Sequence, residues 1–170
     1  MSNRLVLRPS TAGDAERAFE IRSEWEVSRM LSMASYPPDL QVLGVWFADH
    51  PRQWEAGEAY RFAVEHEAQF IGLVDIDGIS EGQGKLGYWF DRGVWGRGFA
   101  SEAAAAVVRF AFAEAGLKQL QAGHAADNAA SAKVLLKLGF EPLETVELLS
   151  HSRAELIQQR RYLLNRPVAG

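Results

Sequence analysis

Cysteine is absent from the 170 residues, which excludes disulfides, cysteine–zinc sites and a cysteine nucleophile. No apolar run approaches the ~20 residues that a membrane-spanning helix needs. The first ten residues, MSNRLVLRPS, lack the apolar stretch of a signal peptide. No Pro-, Gly- or Ser-rich linker divides the chain, and no internal repeat is visible. His50, His66 and His151 show no metal-ligand spacing. An excess of one charge is missing too. The 18 basic and 22 acidic residues leave a net charge of −4, which argues weakly against a nucleic-acid surface. What is present is ordinary for a globular chain, 48% hydrophobic and 24% charged. One soluble, cytoplasmic domain spanning residues 1–170 is expected, with no metal, nucleic-acid or membrane partner.

The pattern along the chain is helix-rich at first. Residues 4–9 alternate as a short strand. Thr11 and Asp14 resemble a capping box ahead of a helix over 15–22. A second helix is expected over 25–31, ending before Tyr36-Pro37-Pro38. Asp39 can cap a third that runs through Trp46 and Phe47 toward Trp54. The period then changes to that of strands. Segments 60–65, 69–77 and 85–90 form an antiparallel meander, with a tight turn at Glu67-Ala68 and a longer loop over 78–84. An alanine-rich helix follows over 98–115, then a strand over 120–126. Asn128 opens a helix over 128–138, and strands over 140–149 and 159–164 close the chain. The fold class is mixed α/β.

The stretch at 86–102, LGYWFDRGVWGRGFASE, carries the chemistry. A strand ends at Phe90, a Gly-rich turn follows, and a helix begins. Glycines let the backbone approach a ligand closely. The first helical N–H groups have no partner inside the helix and carry partial positive charge. Together these make an anion site. From Asp91 to Phe110, three arginines face two acids, a net +1 within a chain of −4. A dinucleotide fingerprint lacks its third glycine, since Ser101 stands there, and Gly84-Lys85 is followed by Leu86 rather than the Ser or Thr of a Walker A loop.

Trp95 to Ala100, WGRGFA, resembles the acetyl-CoA pyrophosphate loop Q/R-x-x-G-x-G/A of the GNAT superfamily of N-acetyltransferases. Gly98 and Ala100 take the last two fixed positions. RLVLRP, GYWF, WGRGFASEA and DNAASAKVLLKLGF fall in the order of the ribosomal-protein-acetylating Rim branch. The first loop position departs from the pattern, with Trp95 in place of Gln or Arg. The resemblance implies a mostly antiparallel sheet of six to seven strands with flanking helices. Two of its strands, 85–90 and 120–126, would splay to hold CoA. It implies that the backbone of Trp89 and Phe90 bonds the pantetheine arm. The pyrophosphate would rest on the loop formed by Trp95, Gly96, Arg97, Gly98, Phe99, Ala100 and Ser101. Asn128 and Ser131 would lie near the thiol, with the Ser131 hydroxyl stabilising the leaving sulfur. Acetyl-CoA is thus the expected co-substrate, and a primary amine the acceptor, either a protein N-terminal α-amine or a small molecule. The chain is expected as a monomer or a homodimer. A non-catalytic acyl-CoA-binding module on the same scaffold is the alternative.

The amine has a pKa of roughly 10 and is protonated at neutral pH, so attack on a thioester needs a base. Direct transfer suits a chain without cysteine. Four candidates for the base remain open. Asp75 and Asp77 lie two apart, on one face of a strand. His124 is a candidate because the unperturbed histidine side chain, with a pKa near 6.5, suits the role. Tyr88 can donate or accept a proton. Trp25, Tyr36, Trp46 and Trp54 either pack helices or line the acceptor site.

Overall fold

A computed structural model describes residues 4–168. Seven strands form one sheet in the order β1-β2-β3-β4-β5-β7-β6. They are β1 Val6–Pro9, β2 Tyr60–His66, β3 Gln69–Ser80, β4 Gln83–Phe90, β5 Gln119–Ala125, β6 Glu141–Ser150 and β7 Glu155–Asn165. Every neighbouring pair is antiparallel except β4 and β5, which are parallel. Six helices flank the sheet: α1 Ala15–Arg22, α2 Trp25–Ser28, α3 Leu40–Ala48, α4 His50–Ala56, α5 Phe99–Ala113 and α6 Ala129–Lys137. This is the mixed, mostly antiparallel architecture expected from the sequence. No helix among the described residues is long and apolar enough to cross a membrane.

Strand alternation divides the core between the two faces of the sheet. Phe62, Val64, Val74, Ile76 and Phe90 pack on one face with α5. Ala103, Ala104 and Ala111 are fully buried there, and their small side chains let α5 lie close to β3 and β4. Ala63, Leu73 and Trp89 point to the other face and meet Ala18 and Ile21 of α1 and Leu43 and Phe47 of α3.

Three local expectations change. The expected loop over 78–84 is a two-residue hairpin turn, because Glu81 and Gly82 both take positive φ (53° and 79°) and carry β3 directly into β4. An irregularity between Asp77 and Ser80 absorbs the extra residues. The helix expected from Asp39 toward Trp54 breaks at Asp49. Pro51 has no N–H with which to continue the first helix, and it sits instead in the opening turn of α4. Asp39 caps α3 as expected, accepting from the Val42 N–H at 3.1 Å. The helix expected over 25–31 is a single turn, α2, followed by tighter turns at Met30 and Leu31. The 3₁₀ turn Ala12–Asp14 carries the Thr11–Asp14 capping box and leads straight into α1.

Candidate active site

The sheet opens between β4 and β5. They pair only over Gln83–Leu86 and Gln119–Ala122. Beyond this, β4 stays with β3, where Gly87 faces Asp75 and Phe90 faces Gly72. β5 stays with β7, where Gly123 faces Arg161. Two strands held by outer neighbours must part where their inner pairing stops. The Asp91 N–H bonds the Ile71 carbonyl at 2.8 Å, so alternation turns the backbone of Trp89 the same way, toward β3. The backbone groups facing the opening from β4 therefore belong to Tyr88 and Phe90. Trp89 contributes its ring to the opposite core. On β5, the Ala126 N–H bonds Gln158, which leaves Gly123 and Ala125 facing the opening.

The loop after β4 is braced at both ends. Asp91 accepts from the Gly93 N–H at 3.0 Å and pairs with Arg17 at 2.5 Å. The Trp95 indole donates to the Phe90 carbonyl at 3.0 Å. Gly98 has a φ of 80°, a left-handed conformation that a side chain would strain, and this turn starts α5. The first intrahelical bond is Glu102 N–H to Gly98 O at 3.1 Å. The N–H groups of Phe99, Ala100 and Ser101 precede it and have no helical acceptor. The Arg4 guanidinium bonds the Arg97 carbonyl at 3.0 Å and Glu102 at 2.9 Å. Arg4 and Arg97 both lie over the Phe99 ring, at 4.5 and 4.8 Å. Arg4, Lys137 and Ser101 line a depression beside this helix end. Donors and cations of this kind suit a polyphosphate.

At the other end of the opening, Asn128 accepts from the Ser131 N–H at 3.1 Å and so caps α6. The Ser131 hydroxyl lies 2.6 Å from the Tyr88 hydroxyl. Burial pushes Tyr88 up to about 12, so it keeps its proton. Two hydroxyls share two hydrogens. One is spent between them and the other is free to donate into the opening.

His124 is placed differently from the acidic candidates. Its Nδ1 faces the Ala125 carbonyl at 2.7 Å and its Nε2 faces the Tyr162 hydroxyl at 2.8 Å. A carbonyl only accepts, so Nδ1 carries the proton and Nε2 accepts from Tyr162. Both nitrogens are occupied, and the ring stacks on Tyr162.

Asp75 faces the opening from the α1–α3 side. A Cβ built on Gly87 would stand 3.0 Å from its Oδ1, so glycine at 87 keeps that oxygen reachable from the opening. Its Oδ2 bonds the buried Arg61, which also reaches Asp77 at 3.5 Å and Gln53 at 3.2 Å and stacks on Trp46 at 4.8 Å. Burial raises the Asp75 carboxyl to about 7 against the lowering pull of Arg61. The Gln159 side chain lies over Gly123 on the far lip. Trp46 lines the cleft, Trp54 packs against Tyr60, Phe62 and Phe110, and Trp25 pairs with Tyr36.

The whole forms one cleft of about 1060 Å³. Its outer wall is tied down by Asp127, which pairs with both Arg29 and Arg153 at 2.9 Å. The structure thus brings Asp75, Asn128, Ser131 and the 95–101 loop to one opening, and places His124 in its wall with both ring nitrogens engaged. Sequence reasoning missed the Tyr88–Ser131 pair, Arg61 and Gly87. Their signals, an arginine inside an apolar strand and a glycine inside GYWF, acquire meaning only with the strand register.

Residues 4–141 match the family described as Acetyltransferase (GNAT) domain. The chain is 28% identical over 144 residues to the uncharacterized N-acetyltransferase YoaA of Bacillus subtilis, covering 82% of this chain and 81% of that protein. Its fold is similar to ribosomal-protein-S5-alanine acetyltransferase from Vibrio fischeri, with a TM-score of 0.84, 19% identity, and 97% and 94% of the two chains covered. It is also similar to spermidine N-acetyltransferase from Vibrio cholerae in complex with CoA and spermine, with a TM-score of 0.82, 16% identity, and 95% of each chain covered.

Proposed function

The chain belongs to the GNAT acetyltransferase family, and from that premise we propose that it moves an acetyl group from acetyl-CoA directly to a primary amine. By its resemblance to the Rim branch, the proposed acceptor is a protein N-terminal α-amine. The observation that carries the reading is the opening between β4 and β5, with proton donors on one face of the sheet and a carboxyl on the other. The fit to the co-substrate is good. The N–H groups at the start of α5, with Arg4, Arg97 and Lys137 beside them, suit the phosphates, and the backbone of Tyr88 and Phe90 is turned toward the pantetheine path. Bound there, acetyl-CoA supplies the thioester that the amine attacks.

The chain's own residues divide the remaining work. The Tyr88–Ser131 pair donates its free hydrogen to the departing sulfur, which stabilises developing negative charge. Asn128 holds Ser131 by capping its helix. Asp75, raised to about 7, accepts the amine proton near neutral pH, where a base works best. Arg61 fixes the carboxyl through Oδ2 and leaves Oδ1 toward the opening. His124, with both nitrogens engaged, positions β5 against β7. The test is release of CoA from acetyl-CoA with a panel of peptide N-termini and small amines. Tight acetyl-CoA binding without CoA release on any acceptor would sink the reading.

A further inference from the structure

We propose that the acceptor side of the cleft takes an amine that also carries a carboxylate, received by the guanidinium of Arg22. The inference rests on the acetyl-transfer reading for its amine end alone. The carboxylate end stands on different observations.

Arg22 ends α1 and lines the cleft, where its guanidinium lies 5.7 Å from the Trp89 ring centroid. Its Nε is buried and has no hydrogen-bond partner, and among the described residues it has no carboxylate partner. The neighbouring arginines differ. Arg8 pairs with Asp14 and Glu65, Arg17 with Asp91, Arg29 and Arg153 with Asp127, and Arg61 with Asp75. Burial lowers the Arg22 pKa, because nothing nearby offsets its charge. An uncompensated, desolvated cation is costly, and an arriving anion removes that cost. A planar guanidinium is shaped to take a carboxylate through two parallel N–H bonds.

The surroundings favour a single negative charge. Val27, Leu31 and Leu43 are among the apolar residues that line this side of the cleft. The other arginine lining the cleft, Arg61, is already committed to Asp75 and Asp77. A doubly charged phosphate beside Arg22 would therefore meet one unpaired arginine and the acids Asp75 and Asp77.

The spacing suits a short molecule. Asp75 reaches the opening over Gly87, and Arg22 lies over Trp89. Two residues along a strand span about 7 Å. An amine beside Asp75 and a carboxylate beside Arg22 are then a few bonds apart. A free apolar amino acid has this form, and so does a peptide N-terminus with an acidic second residue.

The experiment is calorimetric titration of the CoA-saturated full chain with two matched pairs of probes. The first pair is L-leucine and L-leucinamide. The second is a peptide amide beginning alanine–aspartate and one beginning alanine–asparagine. In at least one pair, the carboxylate member should bind tenfold or more tighter. A preference within the first pair identifies a small amino acid, and one within the second identifies a peptide. Arg22→Gln should erase the preference and leave the affinity of the uncharged probe unchanged, which also reports an intact fold. Arg22→Lys should keep only part of it, since an ammonium lacks the planar fork. Equal binding of both members in both pairs would overturn the proposal. So would an Arg22→Gln change that weakens CoA or both members alike. CoA release keeps the two readings apart. An Arg22-dependent preference without CoA release retains this subsite and removes acetyl transfer. CoA release that is equal for carboxylate and amide acceptors does the reverse.

Discussion

Replacing Asp75 with asparagine separates its proposed role as base from its role in packing. Asp75 is 8% exposed and faces Arg61, itself 7% exposed. Deleting one partner of a buried pair strands the other charge, at a cost of about 3–5 kcal/mol. Asparagine still offers Arg61 a carbonyl, and Asp77 and Gln53 remain at 3.5 and 3.2 Å. The loss should therefore be nearer 2 kcal/mol, the scale of a hydrogen bond to a charged group. For a chain of this size that lowers Tm by roughly 4–8 °C, so the variant folds and can be assayed at 25 °C. Loss of a general base should cost about 10²–10⁴ in rate. The pH dependence identifies the cause. Above about pH 7 the wild-type carboxyl is ionised and acts, while below it the proton returns and the advantage over asparagine disappears. The ratio of kcat/KM between wild type and Asp75→Asn, measured from pH 5.5 to 9, should be flat at the alkaline end. It should then fall tenfold per pH unit below about 7. The amine's own titration cancels in this ratio. A ratio constant across the range, or smaller than about tenfold at pH 8.5, would refute the assignment.

Gly98→Asp combines a side chain at a φ of 80° with a negative charge at the start of α5. It should weaken CoA binding by at least tenfold in calorimetry, and unchanged affinity would mean the loop does not hold the phosphates. Ser131→Ala should lower kcat by about 10–10³ with little change in the KM for acetyl-CoA, because the lost hydrogen bond matters only as charge builds on sulfur. Tyr162→Phe leaves the His124 Nε2 without its donor and should cost about 1–3 kcal/mol in denaturant titration, with kcat per folded molecule preserved. The buried His50, bonded to Ser10 at 2.6 Å, is pushed down to about 4 by burial. The unfolded histidine binds a proton near 6.5, so the native state loses up to about 3 kcal/mol as pH falls from 6.5 to 4. Asp75 acts in the opposite sense, since its raised pKa lets the native state hold a proton that the unfolded chain releases. The acid loss should therefore be steeper in Asp75→Asn than in wild type, as read from Cm against pH.

How far the site was legible differs from residue to residue. The loop was readable because its chemistry is local. A strand, a glycine able to take positive φ and a helix start are contiguous in Phe90 to Glu102, and the anion cradle is made of backbone. Asn128 was readable as a cap for the same reason. Asp75 could be named a candidate from strand period alone, but its partner could not. Arg61 lies opposite it only because β2 and β3 pair in that register. The same holds for the meeting of Tyr88 and Ser131, 43 positions apart. His124 is of a residue type often used as a base, yet β7 delivers Tyr162 to one nitrogen and the adjacent carbonyl takes the other. The 78–84 segment looked like a loop because three glycines suggest irregularity. Two consecutive positive-φ residues instead closed a tight hairpin.

By itself, the sequence determined whatever depends on neighbours along the chain. That includes the alternation of strands and helices, the helix caps and the glycine turn that opens α5, and also the exclusion of a cysteine-borne acetyl intermediate. Only the tertiary structure decided which ionisable groups stand alone and which are matched, because charge pairing and desolvation are set by residues far apart in sequence. That is why Asp75 is raised to about 7, why His124 is fully engaged, and why Arg22 faces the cleft with no carboxylate partner among the described residues.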